Sequence, residues 1–136
     1  MKVTGLKSSR SYSLCVNDYL IDWRREVSRP QAAVKAFLYP YWHTHVVLEE
    51  CRIPGSRLRV DLIDLTRRIV IEVSPSSTHS FNRFFHQNKL AFGAAVRRDL
   101  DKQAWAERNG FQYIELNDDD IAALSPQLFA DRGITL

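Results

Sequence analysis

Long apolar runs and cysteines are both scarce in this chain of 136 residues. No run approaches the roughly 18 consecutive apolar residues of a membrane-crossing helix, so the expectation is a soluble protein. Cys15 and Cys51 are the only cysteines, stand far apart and form no C-x-x-C pair. No apolar stretch of a secretory signal follows Met1-Lys2. A disulfide scaffold is thereby excluded, and a reduced, cytoplasmic setting is the simplest expectation. There is no internal repeat and no low-complexity segment. A strong excess of one charge is lacking too: 19 Lys and Arg against 16 Asp and Glu leave +3. Net charge alone therefore argues little for a polyanionic partner.

What is present suits one globular domain over residues 1–136, since 45% hydrophobic content at this length builds a single core. Residues 1–17 are polar and Ser-rich, and read as a loose arm or an edge strand around Tyr12–Val16. A short amphipathic piece follows over 17–26. Pro30 suits the first turn of a helix carrying Ala32, Ala33, Val34, Ala36, Phe37 and Leu38, and Pro40 is expected to end it. Val46–Leu48 reads as a strand and Ile53–Ser56 as a turn. From Phe81 to Asn109 the apolar spacing is helical, with Gly93 a point of division, and Gly110 suits the residue after the helix. Phe111–Leu116 alternates as a strand, and Asp118–Asp120 lead into a short last helix. The expected fold class is α/β: a helix, an antiparallel hairpin, a crossover helix and a parallel strand, giving a small mixed sheet flanked by helices.

The chemistry concentrates in the hairpin Arg59–Ser74. Leu58–Leu65 and Ile69–Val73 are aliphatic strands, and Thr66-Arg67-Arg68 is polar enough to turn. With that turn, residue 62 faces residue 72, and Asp61 lies about one residue from Glu72 along the ladder. A bulge or another turn register would put both carboxylates on one face. Two acids held among Ile, Val and Leu are costly unless something compensates them. A divalent cation does so, and oxygen ligands of this kind suit Mg²⁺ or Mn²⁺. The alternative is that Asp61 pairs with Arg59 or Arg68 and Glu72 ends an ordinary strand.

Arg52, Arg57, Arg59, Arg67, Arg68, Arg83, Lys89, Arg97, Arg98 and Lys102 cluster in sequence around these acids, whereas Glu115 and Asp118–Asp120 lie near the C-terminus. A locally basic field fits a phosphodiester partner; scattered solvated charge is the other reading. His43 and His45 have a strand-like i, i+2 spacing, but no Cys or acid pattern completes a zinc site. Tyr39, Tyr41 and Trp42 read as closure of the core beneath the first helix, with stacking on unpaired bases as the other use of such rings. Phe81, Phe84, Phe85 and Phe92 read the same way, and Trp105 as core.

The order helix, strand, Asp-containing strand, Glu-containing strand, crossover helix and final strand resembles the PD-(D/E)xK nuclease superfamily. Glu72-Val-Ser-Pro-Ser-Ser-Thr-His79, then Arg98-Asp99-x-x-Lys102 and Asn109-Gly110-Phe111, resembles the branch of very-short-patch repair endonucleases and phage homing endonucleases. The resemblance covers about residues 28–116. It implies a restriction-endonuclease-like core and a Mg²⁺-dependent DNA endonuclease. Asp61 and Glu72 would bind the metal, joined by the Val73 carbonyl. His79 would stand near the scissile phosphate, and Asp99 and Lys102 would form a polar helical pair.

This chain differs from the family pattern at three places. Val60 replaces the usual Pro, Ser74 the usual Lys two residues beyond the second acid, and Gln31 a common helical Glu, for which Glu50 is the available substitute. Phosphodiester hydrolysis needs an activated water, charge stabilisation on the phosphate oxygens and a proton for the leaving oxygen. Ser74 cannot supply positive charge; Lys102, or less favourably Lys89, replaces it, and His79 is a candidate general acid or base. Arg52, Arg57, Arg59, Arg83, Arg97 and Arg98 would contact phosphates. A homodimer or a larger DNA-processing complex is expected for cutting both strands. The competing classes are a catalytically silent nucleic-acid-binding module and a nuclease subunit active only inside a transposase- or restriction-type assembly.

Overall fold

The computed structural model describes residues 1–74 and 89–136, with the side chains of 89–92 and 95 left aside. Its elements, in chain order, are β1 (Lys2–Thr4), β2 (Ser11–Ser13), α1 (Val16–Tyr19), α2 (Arg29–Trp42), β3 (Val47–Arg52), β4 (Arg59–Asp64), β5 (Ile69–Val73), α3 (Lys89–Arg108), β6 (Gln112–Leu116), α4 (Asp118–Ala122) and α5 (Pro126–Asp131). The main sheet has the order β3-β4-β5-β6, antiparallel for the first two pairs and parallel between β5 and β6. A mixed α/β fold with a four-stranded mixed sheet is the expected class.

Strands at the centre of such a sheet bury both faces, and the sequence supplies aliphatics for both. On one face α2 and the C-terminal segment pack Val34, Leu38, Trp42, Phe129 and Ile134 against Leu62, Ile69, Ile71 and Ile114. On the other, Trp105 and Ala106 of α3 join Val3, Leu14, Leu48, Cys51, Ile63 and Val70. No helix among the described residues is long and apolar enough to cross a membrane.

Several expectations need correction. Of the two readings of the N-terminal 17 residues, the strand near Tyr12 holds, shifted to Ser11–Ser13, and the loose arm does not. β1 and β2 pair with each other as a separate two-stranded sheet, and Val3 and Leu14 are buried. Thr4 ties this hairpin to α3: its N–H donates to Asn109 Oδ1 at 2.8 Å and its carbonyl accepts from Trp105 Nε1 at 2.8 Å. The piece expected over 17–26 is only the single turn of α1.

Pro40 does not end α2. It lies inside the helix, which runs on to Trp42. The bond lost at its missing N–H is outweighed by burying the Trp42 indole, and the ladder resumes with His43 N–H donating to Tyr39 O at 3.0 Å. Of the three aromatics here only Trp42 closes the core; Tyr39 and Tyr41 stay exposed. Gly93 does not divide α3. Helix α5, capped by the Ser125 hydroxyl accepting from Leu128 N–H at 3.1 Å, was not expected. The beginning of the crossover helix expected at Phe81, with Phe84 and Phe85, lies outside the described residues.

Candidate active site

The hairpin register differs from the expected one, and the difference creates the site. Pairs Leu62↔Ile71, Ile63↔Val70 and Asp64↔Ile69 leave a four-residue turn, 65–68, rather than three. Arg68 closes it in the left-handed region at φ 58. The turn is held by Asp64, fully buried, whose Oδ1 accepts from Arg67 N–H at 3.0 Å. The ladder ends at Leu62↔Ile71, so Asp61 and Glu72 are the next residues on their two strands and stand beside each other. Facing Cα atoms in such a ladder are about 5 Å apart.

The same rung continues in both directions. Pairs Glu49↔Leu62 and Cys51↔Val60 align Glu50 with Asp61, and Glu72 pairs with Glu115 on β6. Four acids from four strands therefore stand in one row across the sheet. Glu50 has φ 52, a left-handed conformation that costs a non-glycine residue about 1 kcal/mol or more. That kink resets the strand alternation: Leu48 and Cys51, three apart, both enter the core with Trp105.

Electrostatics follow from crowding these acids in a partly dry place. Glu72 is 4% exposed. Burial first, then the Asp61 charge and a hydrogen bond with Asp61, push its carboxyl up to about 9 against the opposing effect of Lys102. Glu72 therefore holds its proton at pH values where a free carboxyl has lost it. Burial and Asp61 also raise Glu50, which the Gln31 amide partly relieves by hydrogen bonding. The Asp61 carboxylate turns one oxygen back on the sheet, with Oδ2 accepting from Val73 N–H at 2.8 Å.

Lys102 supplies the nearest positive charge. Its Nζ stands 3.1 Å from Glu72 Oε1, with the side chain only 16% exposed. The Lys102 ammonium pairs with this oxygen and opposes the rise of the Glu72 carboxyl. Lys102 is aimed by its helix: Trp105, one turn on, is fully buried on the same face and pinned to Thr4. The backbone of Lys89, at the other end of α3, lies about 20 Å away along the helix axis.

Ser74 is buried two residues beyond Glu72, and its N–H extends the ladder by donating to Leu116 O at 2.8 Å. Gln31 is buried as well, and its Nε2 donates to Glu49 Oε2 at 3.4 Å. Arg52, Arg57, Arg59, Arg97 and Arg98 are exposed. Arg59 Nη1 donates to the Glu50 carbonyl at 2.9 Å, and Arg52 Nε to Ser56 O at 2.6 Å. His79 and Arg83 lie outside the described residues, as does the side chain of Lys89.

Two residues near the site were missed in the sequence. Glu115 completes the acid row, and a correct β5–β6 register was the only signal for it. Tyr113 is a buried phenol without a hydrogen-bond partner among the described residues. Burial and the charges of Glu72, Glu115, Asp99 and Asp61 raise its hydroxyl far above the ordinary range, so it stays a neutral donor.

His43 and His45 do not join the site. His45 Nδ1 lies 2.7 Å from Asp64 Oδ2, and His43 Nδ1 lies 2.8 Å from Tyr39 O. Among the described residues no three His, Cys, Asp or Glu side chains converge as a ready-made metal cage. The oxygen donors available to a hard cation are those of Asp61 and Glu72, with Glu50 beside them. Mg²⁺ commonly takes only one or two carboxylates and completes its shell with water and substrate oxygens. Compared with protein-family models, curated proteins and solved structures, the chain gives no match in any of the three.

Proposed function

We propose that the chain is a metal-dependent DNA endonuclease with a restriction-endonuclease-like core, working inside the cell. The observation that carries the reading is the juxtaposition of Asp61 and buried Glu72 on neighbouring strands, with the Lys102 ammonium 3.1 Å from Glu72. Structural ion pairs bury charge too, but they do not ordinarily set two acids side by side against a single ammonium.

The donor set fits Mg²⁺ or Mn²⁺: hard oxygen atoms from two carboxyls and a Glu72 proton ready to be displaced. Asp61 and Glu72 hold the cation, with the Val73 carbonyl as a third donor and Glu50 as the acid nearest to them. When bound, the cation supplies charge against a phosphate oxygen and lowers the pKa of water. Lys102 takes the place of the family lysine that Ser74 lacks. It offers positive charge from the helix to the phosphate oxygens where charge builds up. The exposed Arg57, Arg59, Arg97 and Arg98 bind neighbouring phosphates, making affinity fall with salt. One acid rung cuts one strand, so double-strand cleavage calls for two copies.

Cleavage of supercoiled and branched DNA with Mg²⁺, Mn²⁺ or EDTA tests the reading. Metal-dependent nicking or cutting is expected. Salt-sensitive binding with no cleavage in any metal would replace the reading with a silent binding module.

A further inference from the structure

A cavity of about 690 Å³ opens between the segment 21–24 and α2, lined by Ile21, Trp23, Arg24, Lys35, Ala36 and Tyr39 together with Asp22. The volume lies in the range of small-ligand sites. Its floor is rigid for a definable reason. Lys35, 2% exposed, donates to Asp22 O at 2.6 Å and Arg25 O at 2.7 Å, and pairs with Glu49 Oε2 at 2.6 Å. One buried ammonium thus staples the 22–25 segment to the helix and sheet.

The walls are aromatic and stay open. Trp23 and Tyr39 meet edge to face with centroids 5.6 Å apart, and His43 stacks on Tyr39 at 4.9 Å. Tyr39 is 48% exposed, an unusual cost for a ring whose hydroxyl and face could have been buried. Arg24 lies on the wall and exposed Arg29 follows in sequence, while the Arg25 guanidinium between them pairs with Glu49 Oε1 at 3.0 Å. Asp22, the acid among the lining residues, is turned to its own loop, its Oδ1 accepting from Arg24 N–H at 3.0 Å. Flat rings beside guanidinium groups suit an unstacked base and its phosphate, not an aliphatic side chain.

The cavity is wired to the acid rung. Glu49, the partner of Lys35, precedes Glu50 on β3, and the Gln31 amide hydrogen-bonds both of these acids. Gln31 thus links the floor of the cavity to the acid row. The geometry points to the Trp23–Tyr39 cavity as a pocket for an unpaired nucleobase of the DNA substrate, selecting gapped, flapped or branched DNA over continuous duplex. This deepens the endonuclease reading and rests on it for the choice of ligand.

The test is a titration of the full chain against two DNAs, a gapped duplex with 2-aminopurine at the unpaired position and its fully paired counterpart. The wild type should prefer the gapped DNA, and 2-aminopurine emission should fall as the base stacks. Trp23→Ala and Tyr39→Ala should each cut that preference by about 5- to 150-fold, the range of one base–aromatic stack. Trp23→Phe should keep most of it. Tyr39 is half-exposed, so its variant stays informative if Trp23→Ala fails to fold. Equal affinity of the wild type for both DNAs, or an unchanged preference in folded Tyr39→Ala, would overturn the pocket. Failure of the endonuclease reading looks different: no metal-dependent cleavage, whatever the preference for the unpaired base.

Discussion

Replacing Glu72 by glutamine removes one ionisable group from the acid rung and leaves its shape. In the folded chain the Glu72 carboxyl is pushed from 4.5 to about 9, by burial first and then by Asp61. In the unfolded chain it returns to its ordinary value. Between those two pH values the native state binds more protons than the unfolded state, so stability is full below the window and falls as pH rises through it. An isolated carboxyl moved so far would lose about 6 kcal/mol across the window. The Lys102 ammonium facing the carboxyl reduces this, and we expect about 3 kcal/mol. Glu72→Gln removes that slope. In EDTA the variant should match the wild type near the acid end and exceed it by about 3 kcal/mol at the alkaline end, or about 10 °C in Tm. Urea melts at stepped pH measure the difference directly. Added Mg²⁺ should narrow the gap by stabilising only the wild type. A difference that stays flat with pH, or a variant less stable than the wild type at alkaline pH, would refute the raised Glu72 carboxyl.

Three further outcomes follow from the geometry. Lys102→Ala should lower the cleavage rate by about 100-fold or more while changing DNA affinity little; equal losses in both would sink its role at the phosphate. Asp64→Ala strands His45 and the Arg67 N–H beside a buried gap and should cost about 3 kcal/mol in urea melts. A cost below about 1 kcal/mol would show that the 65–68 turn does not depend on it. Tyr113→Phe deletes a hydroxyl without a partner among the described residues and should leave Tm unchanged or slightly higher, whereas a loss of several degrees would reveal a hidden partner.

Much of the architecture was legible because the periodicities are strong. The aliphatic runs of β4 and β5 and the alternation of β6 each match an element, and the helical spacing before Asn109 matches α3, although Val96 and Leu100 of its expected apolar face are exposed and Trp105 is buried. The pair Asp61 and Glu72 was legible as well, but their alignment was not. It depends on a turn one residue longer, and that length is set by the buried Asp64, which resembles any other strand-end acid in the sequence. Pro40 misled because local geometry was weighed without the tertiary gain of burying Trp42. The N-terminal hairpin looked polar, and it is held by hydrogen bonds from Thr4 to Trp105 and Asn109, over 100 residues away. The choice of Lys102 over Lys89 could be drawn from the helix spacing, and Lys102 does stand against Glu72. Glu115 and the Trp23–Tyr39 cavity carry no local signal, since each arises only when distant segments are brought together.

The central claim is that Asp61 and Glu72 form one cation-dependent cleavage site. Its most direct test is the nicking of supercoiled DNA by the wild type, Asp61→Ala and Glu72→Ala, in Mg²⁺ and in EDTA, with folding of each variant verified by circular dichroism. The account predicts activity only in the wild type with the metal present. Metal-dependent cleavage that survives in either folded variant would contradict it.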